Sequence, residues 1–212
     1  MTATPGPRRR ESYADRRERR AAVDDPAVVL EAAARFLEVR ARSVAEVRRR
    51  LTTNGYRPEL VDGAIARMTE LGMLDDAAFA QAWVESRDRS RPRGERAIRV
   101  ELSQKGLERA VIDEVLTKRR DGSLGSDDPD RVVDPDAPRV SADRAAAERL
   151  ITKHARSLAR VADPRQRRAR AYALLARNGF DPETCRDVAA SVDRGATGID
   201  TAEDAGGSDS EA

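Results

Sequence analysis

The chain has 212 residues, of which 39% are apolar, 3% are aromatic and 37% are charged. So much charge and so few large side chains argue against one thick hydrophobic core and favour a series of small helical modules. The single cysteine excludes an internal disulfide framework, and one cysteine with one histidine cannot build a common zinc site.

The net charge of +2 is unevenly distributed along the chain. Residues 1–20 contain seven arginines and three acids, residues 121–138 contain six aspartates and one arginine, and the residues from 195 onward contain five acids and no base. The remainder carries about +8, and a basic folded part typically attracts polyanions such as nucleic acid.

We expect residues 1–25 to form a disordered basic arm. The arm has no apolar segment and is therefore not a secretory signal. The chain also lacks a run of about 18 apolar residues, so we expect no membrane span and a cytoplasmic protein.

A first three-helix repeat is predicted over residues 26–72. Pro26 suits the first turn of a helix that runs to about residue 40. Ser43 and Glu46 form a capping box that begins the second helix, and Gly55 is placed to end it in the left-handed conformation. The expected core residues of the second and third helices are Val44, Val47, Leu51, Val61, Ala64, Ile65 and Met68.

A second three-helix repeat is predicted over residues 73–120. Asp75 or Asp76 caps its first helix, because adjacent carboxylates before a helix are more typical of a cap than of a metal site. Pro92 opens the middle helix and Gly106 ends it. The expected core residues are Phe79, Ala80, Trp83, Ile98, Leu102, Val111, Val115 and Leu116.

An acidic flexible linker is predicted over residues 121–140, followed by a third three-helix repeat over residues 141–194 and a disordered acidic tail over residues 195–212. The helices of the third repeat are expected to begin at Ser141, Pro164 and Pro182. Cys185 is expected in its core.

The middle helices of the three repeats share the pattern Leu-x-x-x-Gly, which ends at Gly55, Gly106 and Gly179. These glycines are 51 and then 73 residues apart, and the excess of 22 is close to the length of the acidic linker. Such a period indicates a repeat array. The predicted fold is all-α, with three tandem three-helix repeats in an elongated, curved array and disordered termini.

Three segments resemble the RecX family. Residues 42–47, followed by Leu51 and Gly55, resemble the first RecX repeat, and residues 71–76 resemble the start of the second. The most specific segment runs over residues 87–106. The resemblance covers residues 27–117 closely and residues 141–193 more loosely, and the chain departs from the family in its long acidic linker, arginine-rich arm and acidic tail.

The resemblance implies a protein that lies along the groove of a RecA–single-stranded DNA filament. Members of the family modulate RecA, usually negatively, by limiting filament growth and suppressing ATP hydrolysis and strand exchange. The implied partners are a RecA-type recombinase filament and single-stranded DNA without sequence preference. We expect a monomer that has no cofactor and is not an enzyme.

The candidate contact residues are basic. Arg89 and Arg93 are expected in a solvent-facing loop, and Arg96 and Arg99 on one helical face, where free backbone N–H groups add to the side-chain charge. The densest cluster contains Arg87, Arg89, Arg91, Arg93, Arg96 and Arg99, with Lys105 beyond it. Two further patches contain Arg48, Arg49 and Arg50, and Arg165, Arg167, Arg168 and Arg170. The alternative is that these arginines are solvated helix surface without a binding role. Only three lysines occur, so arginine supplies nearly every positive charge in the chain, as a general coding bias would produce.

Two other functions fit the pattern less well. A helix-turn-helix transcription factor would bind duplex DNA sequence-specifically, usually as a dimer, and an inert helical scaffold would bind neither DNA nor recombinase. An enzyme is least expected, because the sequence has no nucleophile–base pair, no metal cluster and no phosphate-binding glycine loop.

Overall fold

The computed structural model describes residues 12–124 and 141–193, which form ten α-helices and no strand. The helices are α1 (Tyr13–Ala21), α2 (Pro26–Leu37), α3 (Val44–Asn54), α4 (Pro58–Glu70), α5 (Asp76–Ser90), α6 (Glu95–Gln104), α7 (Arg109–Asp121), α8 (Ala142–Ala159), α9 (Pro164–Arg177) and α10 (Pro182–Ser191). The all-helical fold class is confirmed. None of the helices in these two ranges is long and apolar enough to cross a bilayer.

The described residues belong to two compact units. The first unit comprises residues 1–80 and 103–111, and the second comprises residues 81–102 and 112–212, as far as these are described. Each unit has its own buried residues.

In the first unit, α2, α3 and α4 enclose a hydrophobic core. The predicted Ser43–Glu46 capping box is present at the start of α3, and Gly55 ends the helix with φ of 99°. Pro26 and Pro58 begin their helices as expected for residues whose missing N–H would have no helical acceptor. The buried residues are Val29, Ala33, Val47, Leu51, Tyr56, Val61, Ala64, Ile65, Met68 and Leu74.

The predicted disorder of the arm is wrong for its second half, because α1 lies within residues 1–25. Ser12 and Asp15 form a capping box that fixes its first turn. The Tyr13 hydroxyl donates to the carbonyl of Thr53 at 3.0 Å, and the Arg20 guanidinium lies 5.8 Å from the ring centre of Tyr56. These tertiary contacts hold a helix that buries none of its own residues.

In the second unit, α8, α9 and α10 begin next to Ser141, Pro164 and Pro182, as predicted. Their core is built from small residues and a few leucines, and Cys185 is fully buried within it, as predicted. Phe180 follows Gly179 and is also buried.

Three details of the second repeat differ from expectation. The middle helix begins at Glu95 rather than at Pro92, because the carboxylate of Asp143 in α8 accepts the Glu95 N–H and caps the helix there. Trp83 is only partly buried and the neighbouring Val84 takes its place in the core. In α7, Ile112 is buried in place of Val111.

The first four residues of the predicted linker, 121–124, belong to α7 and to the turn that ends it. Asp121 belongs to α7, and Gly122 ends that helix with φ of 70° while Ser123 and Leu124 donate to the carbonyl of Lys118. The rest of the predicted linker, the first eleven residues of the arm and the predicted acidic tail lie outside the described residues.

Candidate nucleic-acid and partner interface

The N-terminus of α3 meets the C-terminal end of α6 at a contact that we call the first joint, which lies within the first unit. The Ser43 hydroxyl donates to the carbonyl of Lys105 at 2.6 Å. The N–H of Val44, which has no partner within α3, donates to Oδ1 of Asp76 at 2.9 Å. The free N–H group at the start of α3 is therefore hydrogen-bonded by a residue of α5. Both carboxylates of the Asp75–Asp76 pair cap helices, since Asp75 accepts from N–H groups in the first turn of α5 itself.

The N-terminus of α6 meets the C-terminal end of α9 at the second joint, which lies within the second unit. The Gly94 N–H donates to the carbonyl of Asn178 at 3.0 Å. The Glu95 N–H donates to Oδ2 of Asp143 at 3.1 Å. Ser43 and Gly94, 51 residues apart, thus hold the same position, immediately before a middle helix.

The repeated glycines are contact residues as well as helix ends. Gly106 has φ of 80°, and a Cβ atom on it would collide with Cβ of Ala45 in the first turn of α3. Gly179 has φ of 83°, and its Cβ atom would lie 2.5 Å from Cβ of Ala97 in the first turn of α6. At Gly106 and Gly179 the Leu-x-x-x-Gly pattern therefore marks where one helix end packs closely against the start of another, whereas Gly55 lies against Arg17 in the middle of α1.

A buried arginine holds the second joint. Arg119 is 3% exposed, donates through Nε and Nη2 to both carboxylate oxygens of Asp88 at 3.0 and 2.9 Å, and also pairs with Asp143. Burial disfavours the charged guanidinium, but the hydrogen bonds and charges of Asp88 and Asp143 together outweigh it and raise the pKa of Arg119. Burial raises the pKa of Asp143, against the opposing charge of Arg119.

The sequence pattern did not single out Arg119, because α7 offers three consecutive basic residues and nothing in their order distinguishes the buried one. The only local signal is helical spacing, since Ile112, Val115 and Leu116 lie on the same face as Arg119.

Half of the predicted Arg87–Arg99 cluster is engaged inside the protein. The Nε of Arg87 donates to Glu101 at 2.6 Å, and its guanidinium lies 4.4 Å from the ring centre of Trp83. Arg93 is not a free loop residue as expected, because its Nη1 donates to Oδ1 of Asn178 at 2.8 Å.

Arg99 is the third engaged member of the cluster. It pairs with Asp113 and with Glu95, at 3.2 Å for the latter. The hydrogen bond to Asp113 is the largest of the effects that raise the pKa of Arg99.

The other three members are exposed. Arg89 lies in the last turn of α5, Arg91 in the following loop and Arg96 in the first turn of α6. None of these three side chains forms an ion pair with any residue in the described ranges. They are the members of the cluster whose charge faces solvent uncompensated.

The remaining candidates also include both ion-paired residues and exposed residues without an ion pair. Lys105 pairs with Glu46 at 2.9 Å in the first joint, Arg48 pairs with Asp62, and Arg168 pairs with Asp193 at 3.4 Å. Four are exposed and make no ion pair within the part of the chain that the structure describes: Arg49, Arg50, Arg165 and Arg170. That any of these residues contacts DNA or a recombinase stays a prediction.

The chain matches three family descriptions in order along its length. Residues 30–68 match "RecX, first three-helix domain", residues 75–116 match "RecX, second three-helix domain" and residues 142–188 match "RecX, third three-helix domain".

Relatives and solved structures carry the same name. "Regulatory protein RecX" of Mycolicibacterium vanbaalenii is 32% identical over 160 residues, covering 73% of this chain and 76% of that protein. The protein of the same name from Chlorobaculum tepidum is 34% identical over 159 residues, covering 75% and 84%. The crystal structure of RecX from Lactobacillus salivarius superposes with a TM-score of 0.63 at 18% identity, covering 81% of this chain and 98% of that one.

Proposed function

Because the chain belongs to the RecX family of regulatory proteins, we propose that it binds a RecA-type recombinase filament on single-stranded DNA and inhibits filament extension, ATP hydrolysis and strand exchange. The observation that carries the proposal is the match of all three RecX domains, in order, over residues 30–188. The protein acts in the cytoplasm as a monomer, by binding rather than by catalysis.

Exposed arginines supply the contacts. Arg89, Arg91 and Arg96 are close in sequence, reach solvent and have no carboxylate partner among the described residues. Guanidinium groups of this kind bind phosphates bidentately and without sequence preference. Weak contacts from several linked repeats also add up through effective concentration, so that no single site has to be strong.

The first test adds the full chain to preformed recombinase filaments on single-stranded DNA and follows ATP turnover. We expect turnover to fall as the protein is added. Unchanged or faster turnover contradicts the proposed inhibition, and sequence-specific binding to duplex DNA without recombinase would favour a transcription factor instead.

The second test replaces Arg89, Arg91 and Arg96 together by alanine. We expect the concentration for half-inhibition to rise about tenfold, because three phosphate-binding charges are lost. The matched control replaces Arg156, Arg160 and Arg186, which are also exposed and make no ion pair in the described ranges. Equal losses in both triple variants would show that only net charge matters.

A further inference from the structure

The first unit contains an open groove of about 420 Å³ at the start of α3, the end of α4 and the start of α5. Its lining is apolar and acidic, and none of the described residues that line it is basic. Leu71 and Met73, on either side of the lining residue Gly72, are each 50% exposed and extend the apolar surface. We call this site the acidic groove. Its apolar and acidic lining residues are Val44, Leu74 and Val111, and Asp75, Asp76 and Glu108.

The three carboxylates of the acidic groove form no ion pair with any residue in the described ranges. Asp75 and Asp76 accept hydrogen bonds only from backbone N–H groups, which carry no net charge. Burial raises the pKa of Asp76, and the charges of Asp75 and Glu108 raise it further, against the hydrogen bond from the Val44 N–H. The three negative charges therefore repel one another, and a cationic ligand would relieve that repulsion.

From this arrangement we propose that the acidic groove binds the arm segment of the same chain, residues 1–11. The segment has three consecutive arginines and one acid, and its other residues include Met1, an alanine and two prolines. Guanidinium groups pair bidentately with carboxylates, and the apolar residues before them can cover the floor of the groove. The predicted acidic linker and tail have the same sign of charge as the groove and are excluded as occupants.

The course of α1 directs the arm segment toward the groove. Arg20 near the end of α1 lies against Tyr56, which follows α3, whereas Tyr13 at the start of α1 bonds to Thr53 within α3. The chain before α1 therefore leaves toward the N-terminus of α3, where Val44 lines the groove. Thr53 and Val44 are nine residues apart, or about 14 Å along the helix. Eleven extended residues span about 36 Å, so the arm segment can reach the groove.

Docking in the acidic groove would place the arginines of the arm segment against carboxylates of the first unit and so withhold them from nucleic acid. This inference goes beyond the proposed function, because both contact surfaces belong to this chain. The experiment therefore contains neither recombinase nor DNA.

Paramagnetic broadening in the full chain reports where the arm segment lies. Cys185 is fully buried, so a nitroxide attaches selectively to a cysteine introduced in the arm segment as A3C. The amide NMR signals are compared before and after the nitroxide is reduced. We expect the strongest broadening at residues 69–76, and a loss of that broadening at about 1 M salt, where the Debye length is about 3 Å.

The groove variant is D75N/E108Q, which removes two charges but keeps the cap of α5, because asparagine caps a helix as well as aspartate does. We expect the ratio of docked to undocked chains to fall about tenfold, or about 1.4 kcal/mol for two lost ion pairs. The matched control E38Q/E59Q should keep the broadening, since it removes two exposed acids that lie outside the groove and form no ion pair in the described ranges.

A change in the arm segment tests the same contact without altering the folded residues. The variant R8A/R9A/R10A should lose the broadening at residues 69–76 at least as fully as the groove variant. It also decides the question if D75N/E108Q fails to fold, as judged by its helicity.

Three results overturn the inference. The first is broadening centred on Thr53 in the unaltered chain, which would show that the arm segment stays near its attachment point and leaves the groove to another protein. The second is an equal loss in the groove and control variants. The third is equal broadening when spin-labelled chains are mixed with isotope-labelled chains that lack the nitroxide, which would assign the groove to the arm of a second copy. None of them bears on the ATP-turnover test of the proposed function.

Discussion

The two joints place equivalent residues in contact but stabilise the contact by different chemistry. At the first joint, Ser43 caps its own helix through the box with Glu46 and also donates to a distant carbonyl. At the second joint, Gly94 has no side chain, and a Cβ atom there would collide with the carbonyl of Gly179. Asp143 from α8 therefore supplies the missing cap.

The two joints therefore depend on different caps. A serine cap is neutral and local, whereas the carboxylate of Asp143 is mostly buried and requires Arg119 as its counter-ion. Arg119 in turn requires Asp88. Because the backbone of Gly179 approaches Gly94 so closely, a buried network of charges stands at the second joint where the first joint has a local hydrogen bond. Removing one charged member of such a network is strongly destabilising.

The largest expected effect comes from R119A. Removing the guanidinium leaves Asp143 without an ion pair and Asp88 with only the longer contact to Arg149 at 3.8 Å, so the free energy of unfolding of the full chain should fall by about 3–5 kcal/mol. Chemical denaturation followed by circular dichroism measures the loss, and hydrogen exchange should locate it in α5, α7 and α8.

The control for R119A is R120A at the next position, where the ion pair with Glu95 is exposed. It should cost no more than about 1 kcal/mol. Similar losses for R119A and R120A would show that the buried network does not hold the second joint.

An intermediate effect is expected from alanine at the two joint glycines. G122A serves as the reference, since Gly122 has φ of 70° and nothing within 4 Å, and it should cost about 1 kcal/mol for the left-handed conformation alone. G106A and G179A should each cost about 1–3 kcal/mol more, because the new methyl group overlaps a neighbouring helix.

Double variants separate the two joints. The methyl group of G106A meets only the side chain of Ala45 closely, so A45G should recover part of the loss. The methyl group of G179A also lies 2.6 Å from the backbone N of Ala97, so A97G should recover little. Equal recovery at both sites would contradict the described geometry.

The smallest effect concerns pH at the first joint. Burial alone would raise the pKa of Glu46, but hydrogen bonds from Lys105 and from the Ser43 N–H outweigh it and hold the pKa below its ordinary value of 4.5. Glu46 therefore contributes stability above that value, and the contribution is lost as pH falls through the lowered pKa.

The difference in unfolding free energy between wild type and E46Q should be less than about 1 kcal/mol at neutral pH and should shrink on acidification. K105M should flatten the pH profile in the same direction, since it removes one of the three hydrogen bonds that the Glu46 carboxylate accepts, the others coming from Arg40 and the Ser43 N–H. A difference that stays constant from pH 7 to pH 3 would rule out this role for Glu46.

Sequence pattern predicted local structure well and long-range structure poorly. The capping box at Ser43, the helix starts at Pro164 and Pro182 and the left-handed glycines depend on residues within about four positions, so they could be predicted. The late start of α6 could not, because its cap comes from Asp143, 48 residues away.

The same distinction separates the candidate contact residues. An arginine is a candidate for phosphate binding only when its guanidinium forms no ion pair with a carboxylate of the protein. For Arg87 and Arg93 that carboxylate is Glu101, at 2.6 and 3.7 Å, and Arg93 also donates to the amide of Asn178, 85 residues away. The sequence shows how many arginines there are, but not which of them are neutralised.

The sequence by itself therefore determined most of the helices and their ends, the repeat period and the family, because capping and helical periodicity act within a few residues. Only the tertiary structure decided which side chains form the joints and which arginines remain exposed. Those outcomes depend on residues far apart in the chain, and hydrogen bonds and ion pairs between them form only after the helices have packed.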